Sequence, residues 1–210
     1  MQYKIIIALC ILFPVSVSNS MERIRGEAKQ QSCPGSEMLK LRFGVEYLIP
    51  TDTDRNIKTI NINGYFLLFE IDNLNMRFYT GVTGSYATGE ITQLEGELEE
   101  GTLREVNFNN TAFGIGPSLL VDVGFFYIQN FSFHLNGSGS FVFYNKDFPA
   151  GGDRYNFMWR AGPVIEYKLN DDQKIGISYQ WAHVSNGQGF GPQNPSYDAQ
   201  GPGIFLSGSF

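Results

Sequence analysis

From residue 39 the chain alternates. Leu39, Leu41, Phe43, Val45 and Tyr47 are apolar, and Lys40, Arg42, Gly44 and Glu46 between them are charged or small. A strict period of two over nine residues predicts a β-strand with one apolar face, because successive side chains point to opposite sides of a sheet. The same reading places strands near residues 57–70, 75–87, 107–123, 131–144, 155–169, 174–185 and 201–210, eight in all with the first. Beyond the first twenty residues there is no run of about 18 apolar residues, so no membrane-spanning helix is predicted.

The connections alternate in length. Residues 71–74, a link at Gln129-Asn130 and the run Asn170-Asp171-Asp172 are short. Residues 50–56, 88–106, 145–154 and 186–200 are longer and rich in Gly, Pro, Asn and acidic residues. Short turns on one side and long loops on the other predict an all-β fold, an eight-stranded antiparallel up-and-down outer-membrane β-barrel over residues 38–210. Its termini and tight turns would share the periplasmic side of a bacterial outer membrane. An aromatic content of 15% supplies girdles at the two membrane interfaces, and the terminal Phe210 resembles the recognition signal of bacterial outer-membrane barrels. The competing architecture is a soluble lipocalin-type barrel, in which the apolar face would point inward.

Composition narrows the chemistry. Two cysteines and two histidines supply neither a disulfide framework nor a four-ligand zinc site of the usual kind. A net charge of −6, with 15 Lys and Arg dispersed along the chain, lacks the basic footprint of a nucleic-acid binder. Residues 1–20 read as a secretory signal: Lys4 is followed by an apolar stretch over 5–17 and then by the small residues of Ser16-Val17-Ser18 or Ser18-Asn19-Ser20. Cleavage there leaves a polar tail, 21–37, with Cys33 as the remaining thiol. The carboxylates between residues 90 and 105 read as a solvated acidic loop, and neither a metal nor a cofactor is predicted.

The strand over 174–185 carries the candidate chemistry. Ile175, Ile177, Tyr179, Trp181, His183 and Ser185 share one parity, and Gly176, Ser178, Gln180 and Ala182 the other. The apolar parity therefore places His183 and Ser185 on the lipid-facing wall at the long-loop end. Polar groups there need an interface or a partner. The outward parity of the last strand, Ile204, Leu206, Gly208 and Phe210, extends back through Pro202 and Gln200 to Asp198. Antiparallel neighbours would bring Asp198 beside His183, so a serine nucleophile, an imidazole base and an orienting carboxylate converge at one rim. The chain has no G-x-S-x-G elbow, which excludes the usual soluble hydrolase arrangement. His134 lies opposite in parity to Phe131 and Phe133 and reads as a structural residue of the polar interior.

The stretch Trp181-Ala182-His183-Val184-Ser185-Asn186, followed by Asn194-Pro195 and Asp198, resembles the H-x-S-N…N-P…acid signature of the lipid A 3-O-deacylases, the PagL-type acyloxyacyl hydrolases. A weaker similarity runs upstream through Asn156-Phe157 and Gly162, so the resemblance covers roughly residues 110–210. It implies an esterase on the outer wall of the barrel, with Ser185 as nucleophile, His183 as base and Asp198 as the acid. Asn186, Gly187 and Asn194 fall where the family stabilises the oxyanion. The implied partner is lipid A or lipopolysaccharide among the outer-membrane lipids, with no metal required. Two departures stand out. The family's acid is usually glutamate, one methylene longer than Asp198, and the glycine-rich run 187–191 is about one residue longer than the usual spacing.

Tyr179, Trp181 and Phe205 are candidates for lining an acyl-chain groove, although aromatics at such depths are also ordinary belt residues. Two rival functions remain open. One is an outer-membrane phospholipase or acyltransferase using the same residues, and the other a non-catalytic porin-like or adhesive barrel acting through its loops. The sequence equally leaves open a monomer or a homodimer.

Overall fold

The computed structural model describes residues 39–51, 55–95, 104–187 and 195–209. The expected signal and tail, 1–37, lie outside the described residues, as do Asn194, Phe210 and the acidic stretch 96–103.

Nine strands follow one another: β1 (Lys40–Pro50), β2 (Arg55–Ile71), β3 (Met76–Glu95), β4 (Arg104–Asn109), β5 (Ala112–Ile128), β6 (Phe131–Tyr144), β7 (Tyr155–Lys168), β8 (Gln173–Ser185) and β9 (Tyr197–Ser209). Eight of them close a barrel. Each of β1, β2, β3, β5, β6, β7, β8 and β9 pairs antiparallel with its chain neighbour, and β9 pairs back onto β1. The ninth, β4, pairs with the far end of β3, from Glu90↔Asn109 to Glu95↔Arg104. The region expected as a long loop, 88–106, is therefore in part a two-stranded ribbon rising from the barrel. The hydrophobic alternation stops near residue 87, and backbone pairing continues beyond it.

The tight connections are as short as expected. Asp72–Leu74 forms one 3-10 turn closed by Asn75 in the left-handed region (φ 49°), and Gln129 takes the same region (φ 52°) between β5 and β6. Asn is one of the few side chains at ease there. Both ends of the barrel chain lie at this end, where Lys40 pairs with Ser209.

The apolar face points outward. Phe43, Ile62, Phe113, Ile115, Leu119, Leu135, Ile177 and Ile204 are all more than half exposed. A soluble barrel would bury this parity. The interior is polar and filled. At its centre Arg160 is fully buried: Nη1 donates to Glu46 Oε2 (2.6 Å) and Asn63 Oδ1 (2.9 Å), and Nη2 to Tyr65 Oη (3.1 Å), Thr83 Oγ1 (3.1 Å) and Ser140 Oγ (3.0 Å). Toward the tight turns, Asp122 accepts from Arg42 Nη1 (2.8 Å) and Arg77 Nη2 (2.9 Å), and Arg77 also reaches Glu166 (3.2 Å). His134 belongs to this interior cluster, with Nδ1 at 2.7 Å from Asp122 and Nε2 at 3.3 Å from Glu166. Arg42, Glu46, Asn63 and Tyr65 from these layers are among the residues that line a hollow of about 20 Å³, roughly the space of one water.

Toward the long loops the filling turns apolar. Leu48, Ile57, Val142, Met158, Val184 and Tyr197 pack together, and Phe148, from the connection between β6 and β7, is buried among them. Its ring centroid lies 4.5 Å from that of Tyr144, and Asn156 Nδ2 donates to its carbonyl (2.6 Å). Among the described residues, then, the bore is closed by charged layers and an apolar plug, not lined as a channel.

A buried ion pair costs most when one partner is removed, because the other charge is stranded. Arg160→Met strands Glu46 and should destabilise the barrel by about 3–5 kcal/mol. The readout is the urea midpoint for loss of the folded, heat-modifiable electrophoretic band, and an unchanged midpoint would contradict the role assigned to Arg160.

Candidate active site on the outer wall

The outward positions of β8 are Ile175, Ile177, Tyr179, Trp181, His183 and Ser185, while Gln180, Ala182 and Val184 between them are buried in the barrel. On β9 the exposed Asp198 stands outward and Tyr197 and Ala199 are buried inward. The two strands pair with His183 opposite Asp198. A slip of one residue would send Asp198 to the interior, so the inward packing of Tyr197 and Ala199 holds the acid on the outer wall.

His183 Nδ1 lies 2.7 Å from Asp198 Oδ1. A carboxylate only accepts, so Nδ1 carries the proton and donates, leaving Nε2 as the acceptor of the neutral ring. The shorter acid therefore reaches the imidazole, because the pair is directly opposed across neighbouring strands. On the other flank, Trp159 of β7 is the partner of His183 in the ladder, and its ring stacks on the imidazole with centroids 5.9 Å apart at 28°. The ring is held between an acid on β9 and an indole on β7, with 30% of its side chain still exposed.

Ser185 is half-buried and sits opposite Phe157 of β7. It lies on the same face as His183, two residues on, which puts their Cα atoms about 7 Å apart. No hydrogen bond joins the Ser185 hydroxyl to His183 in this structure, where the two residues are both described. The structure thus assembles the His–Asp half of the expected triad and leaves the serine beside it.

Of the residues expected around the oxyanion, Asn186 is buried, and its Nδ2 donates to Asp153 Oδ2 (3.1 Å) in the connection between β6 and β7. Gly187 follows with φ 80°, a backbone conformation that side chains rarely adopt, so a glycine is required for the chain to leave β8 in this direction. Asn194 lies outside the described residues.

The expected groove residues divide. Tyr179 and Trp181 are 40% and 49% exposed on the outer wall, with their rings edge to face. Phe205 is a correction: it is inside the barrel, 6% exposed, with the Arg42 guanidinium 3.5 Å above its ring. Its neighbours Ile204 and Leu206 hold the outward positions, and strict alternation sends Phe205 to the charged interior. Two residues escaped the sequence reading. Trp159 has the outward parity of β7, but its contact with His183 depends on a cross-strand register that no single strand displays. Asp153 sits in a loop without periodicity.

No protein-family model matches the chain, and no curated protein does. Solved structures similar to it include the outer membrane enzyme PagL, at 11% identity over 81% of this chain and 99% of that one, with a TM-score of 0.45. Neisserial surface protein A is similar at 11% identity over 82% and 96%, with a TM-score of 0.42. The Yersinia pestis outer membrane protein Ail is similar at 16% identity over 80% and 99%, with a TM-score of 0.29. These superpositions are loose. The class of the chain follows from its own closed ladder, apolar exterior and ion-paired polar interior: it is an outer-membrane β-barrel protein.

With two histidines in the chain, imidazole nitrogens are directly assignable. In ¹⁵N-histidine spectra of the refolded barrel, Asp198→Ala should move the His183 signals away from the Nδ1–H tautomer and leave His134 unmoved. Unchanged His183 signals would contradict the pairing.

Proposed function

We propose that the barrel is a serine esterase of the outer membrane that removes an ester-linked 3-hydroxyacyl chain from lipid A. The observation that carries this reading is the His183–Asp198 pair, 2.7 Å apart on the lipid-facing wall and two residues from Ser185. An imidazole whose Nδ1–H is tied to a carboxylate presents a basic Nε2, the arrangement that activates a neighbouring hydroxyl. The surrounding Trp159, Trp181, Tyr179 and Phe157 form an aromatic belt of the kind that lies at the boundary between headgroups and acyl chains. An acyl ester of a membrane lipid lies at that depth.

In this mechanism a χ rotation brings Ser185 Oγ to His183 Nε2. Ser185 attacks the acyl carbonyl as its proton passes to Nε2, and Asp198 stabilises the resulting imidazolium. Collapse of the tetrahedral adduct expels the sugar alkoxide, which takes the proton from His183. Water, deprotonated by the same imidazole, then hydrolyses the acyl-enzyme and releases the fatty acid. We assign the oxyanion donors to the neighbourhood of Asn186 and Gly187, where the chain leaves β8 through a left-handed turn. The resemblance of His183-Val184-Ser185-Asn186 to the deacylase signature supports lipid A as the substrate.

A second reading is favoured by one observation, the lack of a hydrogen bond between Ser185 and His183: a non-catalytic barrel acting through its loops and the β3–β4 ribbon. The filled interior disfavours its porin version. Mass spectrometry of lipid A from cells producing wild type or Ser185→Ala, with folding checked by heat-modifiable mobility, separates the readings. Loss of one 3-hydroxyacyl mass with wild type alone is expected. Fatty-acid release from phosphatidylethanolamine instead would move the assignment to a phospholipase, and no change in either lipid would leave the non-catalytic barrel.

A further inference from the structure

The outer wall carries a trough that the catalytic reading does not use. It runs over β5, β6 and β7, has a volume of about 590 Å³, and is walled by Leu119, Val121, Phe141, Phe157 and Trp159. Its floor is Gly137 and Gly139, successive outward positions of β6. A side chain at either glycine would meet nothing within 4 Å, and neither has a positive φ. Interior glycines differ: a Cβ at Gly81, Gly116 or Gly162 would run into backbone atoms of the neighbouring strand. Backbone geometry therefore demands glycine at those positions but not at 137 and 139. Glycine weakens a strand and often marks close approach of a ligand, so two in succession on an otherwise bulky wall keep a space open.

The trough is in register with the site. Gly139 pairs with Trp159 and Trp159 with His183, while Gly137 pairs with Ala161 and Ala161 with Trp181. Trp159 is shared, stacked on the imidazole and also forming the trough wall. Two strand spacings, about 10 Å, separate the trough floor from β8. A chain whose ester lies at Ser185 descends along β8, so the trough is laterally displaced from it.

We infer that this trough is a hydrocarbon subsite for a second, non-reacting acyl chain of the lipid whose ester is presented to Ser185. The occupant follows from place and lining: the wall faces membrane hydrocarbon, the walls are apolar, and the hollow is continuous with the lipid-facing belt. The inference rests on the proposed esterase reading for the link to Ser185. Holding a remote chain contributes binding energy that orients the scissile ester and selects multi-chain lipids over single-chain ones.

The test fills the floor with Gly137→Leu/Gly139→Leu, using Gly84→Leu as a control, since Gly84 faces outward on β3 with its nearest neighbour 3.8 Å away. Two readouts are taken on barrels with verified heat-modifiable mobility. The first is native mass spectrometry of lipid A retained by Ser185→Ala barrels with and without the filled trough. The second is hydrolysis of purified lipid A relative to para-nitrophenyl butyrate. The filled trough should retain less lipid A and lower the hydrolysis ratio about tenfold, with the Gly84 control unaffected. Equal retention and an unchanged ratio would overturn the subsite, as would equal losses in the Gly84 control. If wild type cleaves neither ester, the catalytic reading fails while lipid retention still decides whether the trough holds a chain.

Discussion

A strand crossing hydrocarbon has no water to satisfy its backbone, so every N–H and C=O must find another strand. That constraint closes β9 onto β1 and, with it, assigns each residue of eight staves to lipid or to interior. The site follows from this division. His183, Ser185 and Asp198 stand on the outer wall because Val184, Tyr197 and Ala199 are packed inside. The same division sends Arg160, Asp122, Glu166 and His134 inward, where Glu46 pairs with Arg160, and Arg42 and Arg77 pair with the carboxylates of Asp122 and Glu166. Interior and exterior are thus two consequences of one ladder.

The filled bore has a functional corollary. Among the described residues the barrel is plugged by salt-bridged layers and by Phe148, which leaves the wall and the loops as its accessible surfaces. The wall beside β8 carries an imidazole–carboxylate pair with the indole of Trp159 stacked on the imidazole. Polar groups on this wall are tolerated because each of the two has the other as partner and both stay partly exposed at the long-loop end of their strands.

Much of the fold was legible because period-two alternation is a direct imprint of the inside–outside division. Strand number, antiparallel order and the side of the tight turns all follow from it. The β3–β4 ribbon was not legible, since the alternation that marks the other strands ends near residue 87 while the backbone pairing continues. The proximity of His183 and Asp198 could be anticipated from two parities and the antiparallel pairing of neighbouring strands. The Trp159 stack could not, because it depends on the register between β7 and β8. Phe205 shows the opposite error: its aromatic character suggested the groove, although the parity of Ile204 and Leu206 already pointed it inward.

The central claim is that the paired imidazole activates Ser185. Labelling of the folded barrel with a fluorophosphonate, followed by peptide mass spectrometry, tests this without assuming a lipid substrate. The account predicts a covalent adduct on Ser185 that is lost in His183→Ala and strongly slowed in Asp198→Ala. A well-folded wild-type barrel that takes no label at Ser185, or labels equally without His183, would contradict it.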